Sequence, residues 1–277
     1  MTSAARERFT ALVLGPEGEL DLAEAALLIA KEEQPELDIA HYLNRLDTLA
    51  DEVRAKLSEA PASADVIKNL NARLFQEEGL RGSASEYYDP RNSFLNEVLD
   101  RKIGIPITLS VIYIEVGRRL GLSLVGVGFP GHFLVKHLGV DEEQILDPFV
   151  GGATLTEEQL ATQLKSMYGD NNPFLAQIPQ LLTPATKKEI LIRMLRNLKG
   201  VYLQKTDFTR ALSVIDRILL IAPDLAVEVR DRGAIHHRLG HLHGAVQDFK
   251  KYLELEPKSE DAAGIRALIQ RSIAQLN

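Results

Sequence analysis

The stretch from Asn92 to Pro148, NSFLNEVLDRKIGIPITLSVIYIEVGRRLGLSLVGVGFPGHFLVKHLGVDEEQILDP, constrains the fold more than any other part of the chain. After Pro106, apolar residues at Leu109, Ile112, Val116 and Leu120 trace one helical stripe. Proline suits the first turn, because the N–H it lacks would be unpaired there anyway. Gly121 ends the helix by permitting a left-handed backbone. Leu122 to Val127 and Phe129 to Leu138 are rich in Val, Leu and Phe and are interrupted by glycine and proline, which predicts strands with bends. Gln144 to Asp147 predicts a further short strand, closed by Pro148.

A helix with a free N-terminus, a strand carrying His132 and a strand ending in Asp147 follow the order of papain-like and transglutaminase-like cores. In such cores the helix dipole lowers the pKa of a thiol at its N-terminus, a histidine acts as base and an acid orients it. The wording is closer than the layout. GIPITLS, GVGFPGHFLV and ILDPFVGG resemble the transglutaminase-like domain of the bacterial SirB family, which carries tetratricopeptide repeats behind it. The resemblance spans nearly the whole chain and implies a regulatory role in gene expression. It assigns His132 and Asp147 to the base and the acid, and it puts the usual cysteine position on or beside Pro106.

The chain contains no cysteine. That excludes disulfides, thiolate metal sites and a cysteine nucleophile. Ser110 lies one turn deeper in the helix. Its hydroxyl is expected to return a hydrogen bond to the carbonyl of residue 106. Its rival role is nucleophile, in a serine-dependent hydrolase or acyltransferase built from Ser110, His132 and Asp147.

Ahead of this core, Asp21 followed by Glu24 resembles a capping box for a helix to about Ala30. Ile39, Leu43, Leu46, Ala50, Val53 and Leu57 step by threes and fours in a second helix, and Val66, Leu70 and Leu74 mark a third that stops at Gly79. Arg81 to Asn92 is polar and predicts a loop walling the site. Beyond the core, Gly151-Gly152 predicts a turn and Thr156 starts a helix to about Tyr168. The expected domains are 1–170, transglutaminase-like with a helical N-terminal part; 171–184, a linker rich in proline and asparagine; and 185–277, a repeat module.

The repeat itself is legible. Ala211, Ile215 and Pro223 are matched 34 residues later by Ala245, Phe249 and Pro257, the tetratricopeptide period. Each unit is then two antiparallel helices that bury a shared face against the next pair, with residues 260–277 as a cap. Arg196 and Arg230 stand 34 residues apart at equivalent positions, and Arg193 and His237 fall on the same face. Guanidinium groups grip carboxylates bidentately, so a groove for an acidic peptide is expected. Within HHRLGHLH, His237 and His241 have a zinc-helix spacing, but Gly240 predicts a turn between them and the histidines are taken as solvated.

Charge divides the chain the same way. Residues 1–183 carry 16 Lys and Arg against 28 Asp and Glu, and residues 184–277 carry 16 against 11. Neither part has a dense basic patch with base-reading elements, so direct nucleic-acid binding is not expected. MTSAARERF lacks the apolar core of a signal peptide, and no run of about 18 apolar residues occurs, so a cytoplasmic protein is expected. No phosphate-cradling glycine loop, cofactor motif or metal motif is present. The sequence therefore predicts an α+β domain with a small antiparallel sheet, followed by an all-α repeat module. Together they form a non-catalytic adaptor or regulator whose partner is a protein or acidic peptide.

Overall fold

The computed structural model describes residues 4–83, 88–139 and 143–276. It divides into two compact units, Met1–Leu191 and Ile192–Asn277. The first opens with four helices, α1 (Ala4–Leu14), α2 (Leu22–Lys31), α3 (Ile39–Arg54) and α4 (Ser63–Asn71). Asp21 caps α2 by accepting from the Glu24 N–H at 2.8 Å, while the Glu24 carboxylate takes Arg8. Every residue of α2 from Leu22 to Ala30 except Glu24 is buried. The chain leaves α4 through a turn of π-helix, Ala72–Glu77, in which the Glu78 N–H reaches back five residues to the Arg73 carbonyl.

Strand β1 (Arg81–Gly82) precedes α5 (Leu95–Arg101) and pairs in parallel with β2 (Ile103–Gly104). The segment expected as a loop thus contributes a strand and a 3-10 turn at Pro90–Ser93, and residues 84–87 of it lie outside the described residues. Helix α6 (Pro106–Arg119) is the centre of the unit. The sequence predicts one apolar stripe, yet every residue from Pro106 to Gly117 is buried. The reason is that α2, α3, α5 and the sheet all pack on it.

The sheet comprises β3 (Leu124–Val127), β4 (Leu134–Leu138), β5 (Glu143–Asp147) and β6 (Ala153–Leu155). These are followed by α7 (Glu157–Tyr168), α8 (Ile178–Leu181) and a last strand, β7 (Pro184–Ala185). Its order is β6-β5-β4-β3-β7, all pairs antiparallel, with Val135 opposite Leu146. Gly117 lets α6 approach β3: a Cβ there would stand 2.3 Å from the Leu124 Cδ1.

Residues 171–184 are not a free linker. Ile178 joins the buried cluster of Val127, Phe129, Leu134, Ile145, Leu160 and Leu164, and Phe174, Leu175 and Leu181 pack on it. Apolar side chains at helical spacing fold this proline-bearing stretch onto the sheet, and the compact front unit extends to Leu191.

The second unit is helical. It is built from α9 (Lys187–Gln204), α10 (Phe208–Ile221), α11 (Ala226–Arg238), α12 (Leu242–Leu255) and α13 (Ala262–Leu276). The repeat positions Ala211, Ile215, Ala245 and Phe249 are fully buried, as the 34-residue period requires. Gly233 admits the Phe249 ring, which a Cβ would meet at 2.8 Å.

Candidate functional site

Two strands position the first site. His132 stands two residues ahead of β4, in the turn after Pro130 and Gly131, and not within a strand as its sequence context predicts. Asp147 ends β5, which pairs with β4. The His132 Nε2 and the Asp147 Oδ2 are 2.9 Å apart. The second carboxylate oxygen accepts the Phe149 N–H at 3.0 Å, capping the turn that follows. Asp147 is 1% exposed and His132 14%. An ionised carboxylate only accepts, so Nε2 donates. Phe149 sets its ring edge-on to the imidazole at 5.7 Å. The pair fixes the orientation of the imidazole.

The first turn of α6 is apolar or already hydrogen-bonded. Ile105, Pro106 and Ile107 are buried and apolar. The Thr108 Oγ1 accepts the Ile105 N–H at 3.1 Å and donates to the Asn92 carbonyl at 2.9 Å, so that hydroxyl is committed to capping the helix. Ser110 is fully buried. Its hydroxyl donates to the Phe133 carbonyl at 3.4 Å, across to the sheet, and not back to residue 106 as the helix-local reading expects.

Sequence reasoning missed Asn71. Its Nδ2 donates to the Gly152 carbonyl at 3.0 Å, and its Oδ1 accepts from the Tyr113 hydroxyl at 2.8 Å. Burial raises the pKa of that phenol. Gly152 has φ +77, and a Cβ on it would meet Asn71 at 2.2 Å. Asn71, Gln76, Gln144, Val150 and Thr154 help line a cleft of about 550 Å³, whose walls do not include the His132–Asp147 pair. Glu115 was also missed: 2% exposed inside α6, it is held by Arg119 at 2.7 Å and Arg118 at 3.0 Å. Arg118 and Arg119 thus carry a buried carboxylate; the signal was an acid in the apolar stripe with arginines three and four residues on.

In the repeat module the arginines have partners of their own. Arg196 Nε binds Glu228 at 2.8 Å, and Lys199 binds Glu228 at 2.7 Å and Asp231 at 2.9 Å. Arg230 binds Asp231 and Asp261, each at 3.1 Å, and lies over the Tyr252 ring. Burial lowers the Arg230 pKa, but its bonds to the two aspartates more than offset this and leave it raised. Arg196 and Arg230 therefore share one continuous ionic row, and its acids come from α11 and the start of α13. Arg193 and His237 are half-buried on α9 and α11. Nearby, Leu203, Phe208, Ala234, Ile235, Asp231 and Arg238 line a cleft of about 360 Å³, where the Arg238 guanidinium stacks on the Phe208 ring at 5.1 Å. Gly240 makes the expected turn, with φ +75, so His237 lies in α11 and His241 just ahead of α12. It is His236 that meets His241, Nδ1 to Nδ1 at 3.3 Å.

A central helix packed on a small antiparallel sheet, a histidine just ahead of one strand bonded to an aspartate on its neighbour, and paired helices later in the chain define a transglutaminase-like protein with tetratricopeptide repeats. Residues 40–196 match the transglutaminase-like superfamily and residues 198–270 match the tetratricopeptide repeat. A UPF0162 protein of Xylella fastidiosa is 41% identical over 247 residues, covering 89% of this chain and 88% of that one. A UPF0162 protein of Vibrio cholerae is 30% identical over 88% of this chain and 89% of its own length. Protein SirB1 of Salmonella typhimurium is 29% identical over 82% of each. The chain belongs to the transglutaminase-like superfamily, in its SirB-type branch with C-terminal tetratricopeptide repeats.

Proposed function

We propose that this chain is a non-catalytic cytoplasmic adaptor in which the transglutaminase-like unit is a scaffold and the repeat module holds a protein partner. One observation carries the first half of this reading. The first turn of α6, where the family resemblance puts the usual nucleophile, presents Ile105, Pro106 and Ile107 and commits Thr108 to capping. The buried Ser110, bonded to a backbone carbonyl, favours the structural role over the serine-hydrolase alternative. Among the described residues no helix is long and apolar enough to cross a membrane, which agrees with an adaptor that is not embedded. A serine-directed acylating probe tests this half. No stoichiometric labelling is expected, and labelling of Ser110 that disappears in His132→Ala overturns the reading.

The repeat module supports the second half. An acidic peptide is the fitting partner, but Arg196 and Arg230 already neutralise the module's own carboxylates. Arg238 has no carboxylate partner among the described residues and lies at an apolar cleft. That combination suits an acidic segment carrying one apolar side chain. Acidic peptides should bind the full chain in a salt-sensitive way. Arg238→Ala should abolish binding, whereas Arg196→Ala should lower stability more than affinity; equal binding by wild type and Arg238→Ala counts against the cleft.

A further inference from the structure

We propose that His236 and His241 form a two-histidine site for a tetrahedral divalent transition ion of the Zn²⁺ type, at the turn between α11 and α12. Their Nδ1 atoms stand 3.3 Å apart. Two lone pairs cannot face each other at that distance without an electrophile between them, which is either a proton or a metal ion. Ligands about 2.0–2.1 Å from a tetrahedral Zn²⁺ stand roughly 3.3–3.4 Å from one another, so the spacing is that of a metal bite. The rings are tilted by 54° with centroids at 5.5 Å, neither stacked nor edge-on.

The pair is held in place. The His241 N–H donates to the His236 carbonyl at 2.8 Å, which closes the turn at Gly240 and fixes the two backbones. Gly244 lets the helix lie against the His236 ring, 3.1 Å from its Cδ2 to where a Cβ would be. On the ring's far side Nε2 is 3.9 Å from the Asp248 Oδ2, the side on which a carboxylate favours the Nε2–H tautomer and so frees Nδ1. Asp248 is itself fixed by two bonds from Arg232, which also binds Asp216. Two carboxylates against one guanidinium leave this corner net negative, which favours a cation. Among the described residues no group of three or more His, Cys, Asp or Glu could hold a metal ion, so the proposed site has two protein ligands.

The test is titration of the full-length chain with Zn²⁺ alone, followed by calorimetry. One ion should bind per chain, and His236→Ala and His241→Ala should each weaken binding about tenfold or more, while His237→Ala leaves it unchanged. His241 is exposed, so its variant should stay folded, and Zn²⁺ should raise the melting temperature of the wild type but not of His241→Ala. Absence of binding, or equal binding by all three variants, overturns the proposal and leaves a proton shared between the rings. An equal loss in His237→Ala overturns the assignment of the ligands.

Discussion

Asp147 holds two hydrogen bonds from a buried position, one from His132 and one from the Phe149 N–H. Asp147→Ala would leave a buried N–H without an acceptor and the imidazole without its orienting partner. The expected loss is about 2–3 kcal/mol, read from denaturant unfolding. Asp147→Asn is milder, because its carbonyl still accepts from Phe149 and His132 can switch tautomer to accept the amide; a loss as large as that of the alanine variant would refute this account. A second residue sets the alkaline limit. Burial pushes Tyr42 up to about 12, with the hydrogen bond and charge of Asp100 adding to the shift and Arg45 opposing it. The folded chain then keeps this proton to higher pH than the unfolded chain, whose tyrosines ionise near about 10. Stability falls as pH rises between those values. Tyr42→Phe should flatten that part of the unfolding profile, and the buried Tyr113 should keep the remaining slope.

Helix α6 depends on its first turn. Thr108 caps the Ile105 N–H and ties the helix start to Asn92. Thr108→Val keeps the shape but removes both bonds inside a buried site, and should cost about 1–3 kcal/mol by thermal melting monitored at 222 nm. Thr108→Ser should retain most of the stability. Much of this element was legible: Pro106 at the start, Gly121 beyond the end and the order of His132 and Asp147 are local signals with physical causes. The capping residues Asp21 and Thr156 were equally readable. What the sequence hid was tertiary choice. Residues 63–77 read as one helical pattern, and nothing local shows that the ladder widens to π-helix after Asn71. The proline and asparagine content of 171–184 masked Phe174, Ile178 and Leu181, whose helical spacing was the signal to follow. Arg196 and Arg230 share a register, as their spacing predicts, but their cross-helix partners Glu228 and Asp261 come from 32 and 31 residues away and are not fixed by periodicity.

At the scale of the whole molecule, two compact units imply two separable responses. The repeat module is stitched across its helices by the row Arg196–Glu228–Lys199–Asp231–Arg230–Asp261, ending on the Tyr252 hydroxyl at 2.7 Å. Neighbouring repeats contribute stability through such interfaces, so cutting one link should loosen the array and not a single helix. Glu228 is the link to cut, because it is 1% exposed and serves two cations. Glu228→Ala leaves Lys199 with Asp231 alone and frees Arg196 to solvent, for an expected loss of about 2–4 kcal/mol. The row is also sensitive to acid. The hydrogen bond from the Tyr252 hydroxyl holds Asp261 below its ordinary pKa, with burial opposing it and Arg230 adding to it. Its contribution is therefore present above the ordinary carboxylate range and lost as pH falls through it. Differential scanning calorimetry of the full chain should resolve two transitions. Glu228→Ala should lower one of them, and that transition should also fall on acidification below about pH 4. Asp147→Ala should lower the other. A single transition shifted equally by both variants would mean that the two units unfold together.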